Sequence, residues 1–303
     1  MFFIRAQLLF LLIVLTPAVL AYETDQHSNR MAAVSDSILV MDCKVNDGLS
    51  NIIRKWGNKR PSELVFARAM YYELGGIYWA DKIERWAAKT DLVDKYPQTR
   101  HKSIYQGMPL WATRVNFIFG VGRTFKLNGV MVGSDKFGHF FSQGYKYYKR
   151  HLKGMDADRV RAKGTFAERW IYGLFTTGVY SNADLVANQE GLLFYKSLFT
   201  DDVVKGKGPI LRWKDGKPEQ IRKFTWTDHV NDYWDEALNP SFNVPSLNRI
   251  LRIRIKALCG EYEQNSALFT SVNDDELRQR YQHIGMRENR SNLFSQICDP
   301  VAP

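Results

Sequence analysis

Apolar residues recur at three- and four-residue spacing along several stretches of the chain, which is typical of one face of an α-helix. The segment 61–90 shows this spacing, and Pro61 at its start suits the first turn of a helix. The pair Gly75 and Gly76 is expected to divide this segment into two helices. The same spacing predicts further helices at 135–152, 165–178, 182–198, 228–238, 246–260 and 274–283.

Two short stretches carry a tight-turn pair between strand-like segments, which predicts β-hairpins. The stretch F-K-L-N-G-V-M-V has Asn128 and Gly129 at its centre, and the segment 210–226 contains Asp215 and Gly216. Asn-Gly and Asp-Gly favour two-residue hairpin turns because these residues tolerate the positive φ that such turns require. The fold class that we predict is therefore all-α, mainly helical, with one or two small β-hairpins.

The N-terminus carries one positive charge, Arg5, followed by the apolar run A-Q-L-L-F-L-L-I-V-L-T-P-A-V-L-A. This run is roughly 15 residues long, which is short for a membrane span of about 20 residues. Val19-Leu20-Ala21 offers small residues at the spacing of a cleavage site. We predict a secretory signal peptide at 1–21 and an exported protein that is soluble or peripheral to a membrane. An uncleaved anchor is the alternative.

We predict that the remaining chain forms one main domain. Residues 22–60 have the composition of an N-terminal lead-in that is loosely ordered at its start, and residues 61–303 are predicted to form a single mainly helical domain. Within it we expect a core at 130–200 and a C-terminal extension at 205–303. Later apolar stretches are short and interrupted by glycine or charge, so we predict no transmembrane segment in the mature chain.

The chain is basic, with a formal net charge of +10 at pH 7. A basic exported protein suits anionic partners such as an envelope lipid, lipopolysaccharide or a wall polymer, although the charge also serves simple solubility. Basic residues cluster at 146–153 and at 251–256. The sequence shows no nucleic-acid-binding module, so we predict no nucleic-acid partner.

Three cysteines are present: Cys43, Cys259 and Cys298. Export to an oxidising compartment permits a disulfide. Cys259 and Cys298 lie in the same C-terminal region, so we predict that they pair and leave Cys43 free. The sequence alone leaves the other pairings open.

The helix predicted at 135–152 has an aromatic face and a polar face. The aromatic face consists of Phe137, Phe140, Phe141, Tyr145 and Tyr148. The polar face consists of Asp135, His139, Ser142, Gln143 and Lys146. We expect the aromatic face to pack against a core and the polar face to meet either water or a second polar surface.

The helix predicted at 182–198 is apolar nearly all round, which indicates burial. One narrow seam departs from this, and it consists of Asp184, Ala187, Asn188, Gly191 and Tyr195. A buried carboxylate needs a partner, and small residues allow a second helix to come close. We therefore predict that Asp135 and His139 meet Asp184 and Asn188. Each group also has an ordinary structural explanation, since Ser181 and Asp184 match a helix capping box.

The order D-K-x-x-H-F, then D-L-x-A-N-x-x-G, resembles the two-part signature of the VanZ-like proteins and of the small YfiM-like envelope lipoproteins. The matching residues are Asp135, Lys136, His139 and Phe140, then Asp184, Leu185, Ala187, Asn188 and Gly191. The resemblance implies a bacterial envelope protein whose biochemical activity is poorly defined, and for an exported chain it implies a location in the bacterial periplasm. VanZ-like proteins are membrane-embedded and associated with glycopeptide resistance, so the YfiM-like comparison suits an exported chain without spanning segments better.

One imidazole with two carboxylates can ligate a divalent metal, and Asp135, His139 and Asp184 are the ligands that we predict if a metal binds. Alternatively, Asp184 orients His139 as a general base. Further ligand-binding residues are predicted on the same surfaces: Lys136, Ser142, Lys146 and Tyr195. The sequence contains neither an H-E-x-x-H helix nor a G-x-S-x-G elbow, which argues against a zinc peptidase and a serine hydrolase.

Two functions remain open. In the first, Asp135, His139, Asp184 and Asn188 are catalytic residues of a pocket that acts on or binds an anionic envelope component, a lipid or a cell-wall precursor. In the second, the protein is a non-catalytic binding or assembly factor, and the same residues only clasp two helices together. The acidic segment 228–238 adds Asp228, His229, Asp232 and Asp235, and Asp228 and Asp232 share one face, but we expect a solvated acidic helix.

Overall fold

The computed structural model describes residues 23–76, 80–96, 102–109, 121–156, 159 and 178–299. The predicted signal peptide at 1–21 lies outside these described residues, as does the helix predicted at 165–178 except for its last residue. Within the described ranges helices predominate, and the strands form only two-stranded antiparallel sheets. The mainly helical character is therefore confirmed, although the fold is not strictly all-α.

The helices are numbered here in chain order. They are α1 (Ile38–Arg54), α2 (Glu63–Leu74), α3 (Lys82–Lys89), α4, α5 (Asn182–Ser197), α6 (Pro245–Lys256), α7 (Cys259–Gln264), α8 (Asp274–Tyr281) and α9 (Phe294–Cys298). Helix α4 is continuous and has three parts: an α-helical turn at Lys136–Gly138, a π-helical turn at His139–Gln143 and an α-helix at Gly144–Leu152.

The strands are β1 (Thr124–Leu127), β2 (Val130–Gly133), β3 (Val179–Tyr180), β4 (Leu211–Lys214), β5 (Lys217–Gln220) and β6 (Phe242–Asn243). Strands β1 and β2 form the first predicted hairpin and strands β4 and β5 the second. Both turns have positive φ at both central positions, 51° and 80° at Asn128 and Gly129, and 49° and 76° at Asp215 and Gly216. The pairing of β3 with β6 is long-range and has no local turn signal.

The lead-in segment contains a helix, α1, that was not predicted from the sequence. Helix α1 buries Met41, Val45, Leu49 and Ile52, which belong to the main hydrophobic core together with residues of α4 and α5. The spacing of these four residues is helical, and the signal was obscured by the polar residues that surround the short apolar run 38–41. Residues 22–60 thus contribute to the core of the protein.

The prediction of a helix at 228–238 is wrong. Two 3₁₀ turns stand there instead, Trp226–Asp228 and Asp232–Trp234. The side chain of Asn231 caps the second turn by accepting a hydrogen bond from the backbone N–H of Tyr233 at 3.1 Å. An asparagine that bonds its own backbone two residues ahead favours a turn over a helix interior.

Helices α4 and α5 cross at a glycine contact. A Cβ atom added to Gly144 would lie 2.6 Å from the Cα atom of Gly191, and a Cβ atom on Gly191 would overlap the carbonyl oxygen of Phe140. Only glycine fits such a close backbone approach. On the core side, Phe140 packs against aromatic residues from α5 and the turn region: Phe194, Trp226 and Trp234. This crossing fixes the register of the polar residues on the two helices.

The C-terminal part is tied by the predicted disulfide. Cys259 at the start of α7 and Cys298 at the end of α9 are bonded, with their Cα atoms 5.4 Å apart, and Cys43 is free and exposed. The helix predicted at 246–260 ends earlier, at Lys256, and α7 begins after a short break. Among the described helices, each is too short or too polar to cross a bilayer.

Candidate functional site

The first residue of α4, Lys136, is fully buried and is surrounded by acids. Its ammonium nitrogen lies 2.7 Å from Asp135, 2.6 Å from Asp184 on α5 and 2.7 Å from Glu236 in the segment before β6. Three carboxylates around one ammonium leave the cluster with an excess of negative charge when all of them are ionised. The ammonium alone therefore cannot neutralise this site.

Burial and charge act in opposite directions on these groups. Burial lowers the pKa of Lys136, but the three carboxylates outweigh this effect and raise it well above its ordinary value. Burial raises the pKa of both Asp135 and Glu236. Burial also acts to raise the pKa of Asp184, yet the charges of His139 and Lys136 outweigh it and hold this pKa below its usual range. Asp184 is therefore the most firmly ionised carboxylate of the cluster.

His139 lies beside Asp184, where the π-helical turn of α4 begins. Its Nε2 atom is 3.1 Å from Asp184 Oδ2, and its Nδ1 atom is 3.1 Å from Asn188 Oδ1. When Nδ1–H donates to Asn188, Nε2 directs its lone pair at a carboxylate, so a proton or a cation must lie between them. The imidazole is 16% exposed, which gives this position access to solvent.

Asp135, His139 and Asp184 form a group that could hold a metal ion. One ligand atom from each lies within 4.8 Å of the other two. Two ligand atoms that are each about 2.1 Å from an ion, at a right angle, stand about 3.0 Å apart, which fits the separation of Nε2 and Oδ2. Asn188 supplies the second hydrogen bond that metal-bound histidines usually make. The donor set of two carboxylates and one imidazole suits a divalent cation.

A second pair of carboxylates borders this group from α3. Ser142 donates a hydrogen bond of 2.7 Å to Asp81, and the backbone N–H of Asp81 donates to Glu84 Oε2 at 3.3 Å. Burial raises the pKa of Asp81 to about 7, although Ser142 opposes this shift. Burial, with the charges of Asp135 and Asp81, raises the pKa of Glu84 to about 8. The two groups therefore tend to hold protons near neutral pH.

Substitution of Asp81 by asparagine should stabilise the protein at alkaline pH. A carboxyl whose pKa rises to about 7 on folding stabilises the fold below about pH 4, and this contribution is lost as the pH rises through 7. The amide of Asp81→Asn keeps an acceptor for Ser142 but cannot ionise. Urea unfolding with a chelator present should show Asp81→Asn to be more stable than wild type at about pH 8, on the order of 2 kcal/mol, and similar at about pH 4.

The exposed residue Asp201 supplies the matched control for that measurement. Its side chain is 68% exposed, so Asp201→Asn should leave the pH dependence of the unfolding free energy unchanged. An Asp81→Asn variant whose stability follows the same pH profile as wild type would show that Asp81 is ionised in the folded protein at neutral pH.

The predicted site residues are placed as follows. Asp135, His139, Asp184 and Asn188 come together as predicted, and their catalytic role stays a prediction. Ser142 borders the group, and the charge of Lys146 acts on Asp81. The other two predicted residues have structural positions. Lys136 lies inside the three-acid cluster, and Tyr195 lies in the core, where its hydroxyl donates to the carbonyl oxygen of Phe141.

Tyr195 is therefore not at the predicted ligand surface. It is fully buried, and its ring stacks on Tyr148 with the ring centroids 5.9 Å apart. The wide π-helical turn changes the phase of α4 after Gln143, so the end of the α5 seam meets aromatic residues of α4.

Four residues of the site were not identified from the sequence: Glu236, Asp81, Glu84 and Thr24. Thr24 donates to Asp135 Oδ1 at 3.4 Å.

The acids of the segment 228–238 are not solvated as expected, because Asp228 is bound by Arg222 and Asp235 by Arg30. The signal for Asp81 and Glu84 is their D-x-x-E spacing at the start of α3, which favours a helix cap and gives no reason to expect a polar site.

No protein-family model, no curated protein sequence and no solved structure matches this chain. The resemblance to the VanZ-like and YfiM-like proteins therefore stays a prediction based on the two-part motif.

Proposed function

We propose that this protein is an exported, envelope-associated protein that binds a divalent cation at Asp135, His139 and Asp184. Through this cation it binds or acts on an anionic envelope component, a lipid or a cell-wall precursor. The observation that carries the proposal is the convergence of a partly exposed imidazole with two carboxylates, in a cluster where three carboxylates share one ammonium. A bound divalent cation would compensate the carboxylates that the ammonium does not and would accept oxygen ligands from the anionic component.

The residues around the three proposed ligands orient the ligand atoms and supply groups that can transfer a proton. Lys136 holds the second oxygen of Asp184 and one oxygen of Asp135, which leaves Asp184 Oδ2 directed at His139. Asn188 holds Nδ1 of His139, so that Nε2 faces the ligand position. Asp81 and Glu84 lie on the third side, where they can give or accept a proton near neutral pH.

The two-part motif supports an envelope role. Its residues are the ones that build the crossing of α4 and α5: the polar residues Asp135, Lys136, His139, Asp184 and Asn188, the core residue Phe140 and the contact glycine Gly191. The motif is thus the local sequence of one structural unit. Its resemblance to envelope proteins, together with the apolar N-terminus, is the basis for the proposed location.

The test is calorimetric titration of the purified, chelator-treated protein with Mn²⁺, Mg²⁺ and Zn²⁺. Wild type should bind one cation, and His139→Gln and Asp184→Asn should each weaken binding about 100-fold or more, because each removes a ligand. His151→Gln, at the exposed end of α4, is the matched control and should bind as wild type does. Cation affinity that is equal in wild type and His139→Gln would contradict the proposal.

A structural clasp is the second candidate function, favoured by the burial of Lys136 among three acids from three parts of the chain. In that case His139→Ala should strongly lower the melting temperature, because it removes the link from His139 to Asp184 and Asn188 that joins α4 to α5. In a binding site, the same substitution removes a partly exposed ligand and should leave the melting temperature of the cation-free protein nearly unchanged. Thermal unfolding of His139→Ala in chelator therefore separates the two functions.

A further inference from the structure

The outer face of α6 carries a row of basic residues around one exposed apolar side chain. Leu247, Leu251 and Ile255 are buried on the inner face of this helix. On the opposite face stand the exposed residues Arg249, Ile253 and Lys256, and the half-buried Arg252 lies at the edge of that face. Ile253 is 65% exposed and places an apolar side chain in the middle of this basic surface.

The basic residues of this helix have no acidic partner among the described residues. From residue 237 to residue 260 the chain contains four basic residues and no acidic residue. Arg252 donates to the backbone oxygen of Ser291, and Arg254 donates to that of Gln106 at 3.1 Å. Within the part of the chain that the structure describes, no carboxylate lies within 4.0 Å of Arg249, Arg252, Arg254 or Lys256.

We propose that the outer face of α6 is a docking surface for an anionic lipid bilayer. Arg249, Arg252 and Lys256 contact lipid phosphates, and Ile253 enters the boundary between head groups and acyl chains. Basic residues attract a protein to an anionic membrane surface, and an apolar residue among them adds burial that a purely electrostatic contact lacks. The inner face of α6 stays packed in the protein, so the contact is peripheral and reversible.

An exposed isoleucine distinguishes a bilayer from a soluble polyanion. Wall polymers and other soluble polyanions offer charge but no apolar phase, so Ile253 would remain in water in such a complex. The second basic cluster, at the end of α4, also carries an exposed apolar residue, Leu152 at 42%, against 65% for Ile253. Its basic residues Lys146, Lys149 and Arg150 are only half-exposed, whereas Arg249, Arg254 and Lys256 of α6 are exposed. Exposed charge and an exposed apolar side chain therefore coincide more fully at α6.

The experiment is co-sedimentation of the full mature chain with vesicles of phosphatidylglycerol and phosphatidylcholine, or of phosphatidylcholine alone, in chelator. We expect binding only to the anionic vesicles, and weaker binding as the salt concentration rises. The variant Arg249→Glu with Lys256→Glu should lower the apparent affinity by about tenfold or more, and Ile253→Ser should lower it a few-fold. The milder pair Arg249→Gln with Lys256→Gln covers the case of a poorly folded charge-reversal variant.

The control variant makes the same charge change elsewhere. Lys205→Glu with Lys217→Glu alters two exposed residues near the second hairpin and should bind as wild type does. If both double variants lost the same fraction of their affinity for anionic vesicles, then binding would depend only on the net charge of the protein, and the proposal would be overturned. Displacement from vesicles by polyglutamate, with no effect of Ile253→Ser, would overturn it in favour of a soluble polyanion. Because the chelator removes divalent cations, failure here is distinct from failure of the cation site.

Discussion

Replacement of Lys136 by methionine should lower the free energy of unfolding at neutral pH by about 3–5 kcal/mol. Methionine fills a similar volume, but it leaves Asp135, Asp184 and Glu236 close together without their shared ammonium. An uncompensated buried charge is among the most destabilising changes in a protein. Urea unfolding followed by circular dichroism gives the value directly.

The controls for this prediction separate charge from volume. Lys205→Met, at an exposed position, should change the unfolding free energy by about 0.5 kcal/mol or less. Adding Glu236→Gln to Lys136→Met should recover part of the loss, because one of the three negative charges is removed. If Lys136→Met proved as stable as wild type, then the acids would be protonated in the folded protein, and the excess of charge that supports the cation site would not exist.

Substitution of Gly191 by alanine should destabilise the protein by about 3 kcal/mol and should abolish cation binding at the same time. The added methyl group overlaps the carbonyl oxygen of Phe140, which cannot move without the backbone of α4. Helix α5 must then shift, and it carries Asp184 and Asn188 away from His139. Denaturant unfolding and the calorimetric cation titration measure the two effects on the same protein sample.

Gly260→Ala is the matched control, because a Cβ atom at this position in α7 meets no atom within 4 Å. Alanine there should stabilise the protein by about 0.5–1 kcal/mol, since alanine is the better helix former. If Gly191→Ala kept wild-type stability, then the two helices would have room to separate. A Gly191→Ala variant that was destabilised but bound the cation normally would show that the crossing does not position the ligands.

The part of the fold that could be predicted from the sequence is the part set by local patterns. The two hairpins follow from Asn128-Gly129 and Asp215-Gly216, whose backbone has positive φ at both positions of each turn. The break between α2 and α3 follows from a glycine pair after Leu74. The meeting of α4 with α5 could also be predicted, because a buried carboxylate requires a partner and α4 presents the polar stripe that can supply one.

The rest of the site depends on long-range packing that leaves no local signal. Glu236 lies 100 residues from Lys136 in the sequence, and it arrives through a segment of 3₁₀ turns that looked like a solvated acidic helix. Asp81 is brought to Ser142 by the packing of α3 against α4. The displacement of Tyr195 into the core follows from the π-helical turn, which a count of 100° per residue does not include.

The π-helical turn sets the rotation of the second half of α4 relative to its first half. It spans His139–Gln143 and so accommodates one residue more than an ordinary helical turn. Loss of a single residue within it would convert α4 into a uniform rod and would rotate everything after Gly144 by about 100° around the helix axis. Tyr145 and Tyr148 would then lose their ring contacts with Tyr195, while Lys136, which precedes the turn, would stay among its three acids. Chain length in these five residues is therefore as tightly constrained as their chemistry.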